Sequence, residues 1–192
     1  MEMQILACAL LLIFLNMASY DGLYLHLYKY KLHARKESQK EHLLHSINAF
    51  IFPWSIFFIF LYEFKGYYLW FGLALTVISL TIEFLDVFEE RRSRMDLGGL
   101  TTFEYACHMA MGSLRASYTT LILMTRPASD WLLSSESNFQ FFQFAWMKFF
   151  IYSIVLCSLA IGFLHVYLIF HGFRTLSHAS MANSSPATGA RP

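Results

Sequence analysis

Between Gln4 and Phe170 the chain divides into five apolar stretches, at about 4–27, 42–62, 67–88, 103–124 and 139–170, separated by short polar breaks. A helix needs about 20 such residues to cross the hydrocarbon of a bilayer. Composition agrees: 57% of residues are hydrophobic and 14% charged, against about 25% charged in a soluble domain. The fold expected is an all-α integral membrane protein, a five-span antiparallel transmembrane helix bundle. Residues 1–173 form one transmembrane domain, and 174–192, rich in Ser, Ala, Pro and Gly, read as a disordered cytoplasmic tail. The first stretch lacks the basic start of a signal peptide and has Glu2 there instead, so it is read as a retained span.

Basic residues gather in Lys29–Lys40, in Arg91–Arg94 and at Arg174, the breaks after stretches one, three and five. By the positive-inside rule the N-terminus is then outside and the C-terminus cytoplasmic, in a multi-pass protein of the cell (inner) membrane. The net charge of +1 offers nothing to nucleic acid. Expected partners are membrane lipids, with a second copy or another membrane protein. Cys8, Cys107 and Cys157 lie apart in apolar segments and form neither a disulfide framework nor a Cys-x-x-Cys pair.

Alternation of five spans brings one end of every helix to the same side. Nearly all ionisable residues near a span fall there: Asp21, His26, Glu41, His42, His45, Glu83, Asp86, Glu90, Glu104, His108 and His165. Within this set a pattern occurs twice. Ser38-x-x-Glu41-x-x-x-His45 and Thr101-x-x-Glu104-x-x-x-His108 each open an apolar stretch. The Ser/Thr-x-x-Glu part has the form of a capping box, which accounts for the glutamates but not for the histidines. Asp21 precedes Glu41, and Asp86 precedes Glu104, by similar distances, so the chain reads as two helix-pair repeats plus a fifth helix. Sites often lie where such repeats meet.

Residues i and i+4 share a helix face, so Glu41 with His45, and Glu104 with His108, can hold one cation. Asp21, Glu83 and Asp86 complete the expected metal set of His45, His108, Glu41, Glu104, Glu83, Asp86 and Asp21. Mixed imidazole and carboxylate ligands suit iron or zinc, as one or two ions. The order acid, Glu/His, acid, Glu/His over four helices resembles the ligand order of ferritin-like di-metal carboxylate bundles, where the motif is Glu-x-x-His. That resemblance covers roughly the first 110 residues and implies a metal centre inside the bundle.

A carboxylate in the membrane needs a partner. Arg115 lies three turns beyond Glu104 on its face and is expected either to pair with Glu83 or to bind a substrate oxyanion. His165 and His42 are candidates for an additional ligand or proton donor, whereas His26 and His33 flank a basic loop and are expected to be solvated.

No Walker loop, Rossmann glycine pattern, HExxH or Gly-x-Ser-x-Gly is present. Three functions therefore stand side by side. One is a metalloprotein that oxidises or hydrolyses a lipid-like substrate. Another is a b-type haem protein with His45 and His108 as axial ligands. The last is a non-enzymatic accessory, transport or scaffold protein with a buried polar network.

Overall fold

Each of the apolar stretches forms a helix over its described residues. The computed structural model describes the backbone of residues 2–137 and 145–184, and the side chains of those up to 171. Among them are five long helices and no strand: α1 (Glu2–Ser19), α2 (Gln39–Ile56), α3 (Gly66–Ser93), α4 (Thr102–Met124) and α5 (Ala145–Ser184). The start expected for the fifth span, at 139, and the end of the expected tail, 185–192, lie outside the described residues. Up to Ser184 the chain continues α5.

Two helices change their winding. α1 runs on as a π-helix over Tyr20–Lys29, and α2 as a π-helical turn over Phe57–Leu61. The second follows Pro53, which cannot donate to its preceding turn. Such wide turns are rare and gather at functional sites. The first carries Asp21 and His26, both buried.

The helix ends are set locally. At α4 the capping box is complete: the Glu104 amide donates to Thr101 Oγ1 at 3.2 Å, and the Thr101 amide to Glu104 Oε2 at 3.0 Å. The matching box expected at Ser38 is absent, because the Ser38 side chain caps nothing. Glu41 there finds stronger partners in Arg94 and Ser93. Gly66 opens α3 at φ +54°, where a Cβ would lie 2.8 Å from the Ser135 carbonyl oxygen. Just beyond α4 the buried Arg126 donates to the Ile59 and Tyr62 carbonyls at 3.0 Å. Desolvation pulls its guanidinium below its ordinary range.

In the bundle α1 packs on α4, while α2 lies against both α3 and α5. The shared core holds Leu11, Phe14, Phe52, Ile56, Phe60, Met111, Tyr118, Ile122 and Ile151. Many large apolar side chains remain on the outside, including Phe71, Val77, Phe84, Phe88, Phe149, Leu156 and Phe163. Contiguous apolar surface on this scale suits contact with lipid rather than water. Four helices, α1, α2, α3 and α5, are long and apolar enough to cross a membrane. The remaining one, α4, carries Glu104, His108 and Arg115, all turned inward.

Candidate metal centre

One end of the bundle collects the polar side chains. The π-helical end of α1 supplies Asp21 and His26, α2 supplies Glu41 and His45, α3 supplies Asp86 and Glu90, and α4 supplies His108. All of these except His45 are buried, and the His45 side chain is only 18% exposed. Donor atoms of Asp21, His26, Glu90 and His108 all lie within 4.8 Å of one another, as do those of His26, Glu41 and His45. His26 thus belongs to both groups, and its ring meets that of His45 edge-on at 4.1 Å.

His26 Nε2 stands 3.6 Å from each of Asp21 Oδ2, Glu41 Oε1 and Glu90 Oε1. His108 Nε2 lies 2.6 Å from Glu90 Oε2 and 3.6 Å from Asp21 Oδ1. His45 Nε2 lies 2.7 Å from Asp86 Oδ2. Yet His26 Nε2, His45 Nε2, His108 Nε2, Asp21 Oδ1, Glu41 Oε1, Asp86 Oδ1 and Glu90 Oε2 have no well-aligned hydrogen bond. These nitrogen and oxygen atoms thus lie close together without hydrogen bonds that satisfy them. Ligands of a shared cation are arranged in this way. Buried polar atoms without partners are rare and costly, and several of those in this protein meet here.

Asp21, Glu41, Asp86 and Glu90 bring four carboxylates to this end of the bundle, and Arg94 is the guanidinium among them. Arg94, fully buried, donates to Glu41 Oε2 at 3.1 Å and Glu90 Oε1 at 3.3 Å. Its other face covers the Tyr30 ring at 4.2 Å. Arg94 therefore fixes one oxygen of each glutamate and leaves the other, Glu41 Oε1 and Glu90 Oε2, turned inward. Hydrogen bonds of this kind, made to the far oxygen of a carboxylate, orient metal ligands.

The residues expected from the sequence divide into two sets. Asp21, Glu41, His45, Asp86 and His108 come together. Glu104 does not join them: Oε1 accepts from Tyr30 Oη at 2.5 Å and Oε2 accepts from Thr101. Glu83 Oε2 accepts from Arg115 Nη1 at 2.7 Å, the pair foreseen from helical spacing. The Arg115 guanidinium also lies over the Phe14 and Phe52 rings, at 5.5 and 5.1 Å from their centroids. His42 and His165 pack together a turn away, with ring centroids 5.1 Å apart.

His26, Glu90 and Arg94 were not foreseen as part of the centre. His26 sits five residues after Asp21, about 140° away on an α-helix, but on one face of the π-helix that forms there. Glu90 did carry a signal, since it continues the stripe Thr76, Ser79, Glu83 and Asp86 along α3. The expectation that His26 would be solvated is corrected: it is 1% exposed, because the wide turn swings it inward.

Next to the centre is a cavity of about 80 Å³ lined by Asp21, His45, Glu83, Asp86 and His108. A second, of about 140 Å³, shares His45 and Asn48 with it. Its walls are Phe14, Leu15, Leu23, Phe52 and Ile161, with Arg115 and His165. The apolar helices and the buried His/carboxylate cluster are compatible with a membrane protein that has a metal site. No protein-family model, curated protein or solved structure matches this chain.

Proposed function

We propose that the chain is a membrane-embedded metalloprotein with five spans and a His/carboxylate centre near the cytoplasmic face. Asp21, His26, Glu90 and His108 hold one ion. Glu41 and His45, with His26 shared and Asp86 beside them, provide for a second. The observation that carries this reading is the set of buried, unaligned imidazole and carboxylate atoms brought together from four helices. Iron or zinc fits the mixed donors. The adjoining apolar cavity supports a lipid-like substrate, oxidised or hydrolysed at the ion. Both His45 and His108 face carboxylates, which favours this reading over haem between them.

The test is elemental analysis and an absorption spectrum of protein purified in mild detergent. Stoichiometric iron or zinc is expected, without a Soret band, and it is lost in His108→Ala and Glu90→Gln. Wild-type protein that takes up neither metal, or an H108A/E90Q double variant that retains it in full, overturns the assignment.

A further inference from the structure

A line of imidazoles leads from the α1–α2 connection toward the centre, and the centre does not use it. His33 stands in the 3₁₀ turn Leu32–Ala34, His42 in the first turns of α2, and His165 on α5. Ring centroids are 6.2 Å apart for His33 and His42, and 5.1 Å for His42 and His165. His42 and His165 are 2% and 3% exposed. Neither nitrogen of His42 has a well-aligned hydrogen bond, nor does Nδ1 of His33 or of His165. Packing alone does not call for three imidazoles here, since apolar side chains of that size would fill the space without burying unpartnered nitrogen.

The cavities place this line. One of about 280 Å³ is bounded by His33, His42, Gln39, Lys40, Leu43 and Ile169, of which Lys40 and Leu43 are exposed. On the inner side, His165 shares the 140 Å³ cavity with His45, a member of the centre. His42 also precedes His45 by three residues on α2, so the two share a face. The charge of Lys40 at the outer opening is matched by Glu89, its ion-pair partner.

We infer that His33, His42 and His165 form a loading route that passes a divalent transition-metal cation to the centre. The inference rests on the metal reading above and adds to it how the ion arrives. Neutral imidazoles bind such cations without adding charge, and among the described residues no carboxylate joins the three in a metal-ligating group. The ion is therefore held loosely along the line and tightly by the carboxylates beyond it. The ring spacing suits transfer from one imidazole to the next rather than residence among all three.

A route changes rates and leaves the equilibrium alone. Apo-protein, stripped by chelator in detergent, is mixed with Co²⁺ or Zn²⁺ in a stopped-flow instrument, and uptake is followed by cobalt absorption or a zinc indicator. In H42Q/H165Q, uptake is expected to slow on the order of tenfold, the scale on which association rates vary among related sites. Extraction by chelator slows by the same factor, while final stoichiometry and affinity stay at the wild-type values. The single variant H165Q, with free imidazole added to restore uptake, keeps the test open should the double variant fold poorly. Unchanged rates in correctly folded protein overturn the route. Loss of one equivalent of metal at equilibrium also overturns it, since the histidines would then be resident ligands. Failure of the centre itself is seen separately, as an end-point without metal in the wild type.

Discussion

Arg115 and Glu83 give the sharpest energetic test of the fold. Arg115 is 1% exposed and its Nη1 lies 2.7 Å from Glu83 Oε2, whose side chain is 15% exposed. At that distance the direct attraction is about 6 kcal/mol for an effective dielectric constant of about 20. Desolvation of the two groups offsets most of it, so the net value of the pair is small. Breaking it is another matter. Arg115→Met leaves Glu83 without a counter-charge, at a cost of about 3–5 kcal/mol. The lower end applies, because Glu83 retains some access to solvent. Glu83→Gln leaves the more deeply buried Arg115 charged, although the rings of Phe14 and Phe52 still face it. It is expected to cost about as much. The double variant R115M/E83Q has no charge left to strand and recovers most of either loss. Unfolding in mixed micelles, followed by the fluorescence of the 4 tryptophans, measures all three. A loss below about 1 kcal/mol in both single variants, or a double variant as unstable as the worse single one, refutes the reasoning. Full stability with lost activity in the double variant would give Arg115 the substrate role instead.

Two further outcomes follow from other parts of the molecule. Protons and metal compete for His26 and His108, so affinity falls as pH is lowered through the range in which these imidazoles take up protons, by up to about tenfold per unit for each imidazole that must lose one. Equilibrium dialysis at several pH values measures this, and a flat profile down to about pH 5 contradicts ligation by histidine. At Gly72 a Cβ would meet Phe58 Cβ at 2.7 Å, where α3 crosses the end of α2. Gly72→Ala is therefore expected to cost about 1–3 kcal/mol by overpacking while metal content stays unchanged, which separates bundle packing from the centre.

Much of this protein is legible in the sequence through helical periodicity alone. Long apolar stretches must become helices in a bilayer, since no water is there to satisfy an open backbone. The α4 cap at Thr101 and Glu104 is a local signal and forms as written. A buried charge requires a partner, which made Glu83 one of two expectations for Arg115, and the two do meet. Tertiary structure decided the rest. Glu41 has the spacing of a cap at Ser38, but Arg94 arrives from the end of α3 and takes its carboxylate. Glu104 has the spacing of a ligand, but Tyr30 reaches it from α1 and occupies it. His26 becomes part of the centre because α1 widens into a π-helix, and α-helical spacing counts that residue on the wrong face. The sequence by itself determined which residue types would crowd one end of the bundle. Which of their atoms face one another depended on contacts between distant segments and on the local winding of α1, and neither is encoded in spacing along the chain.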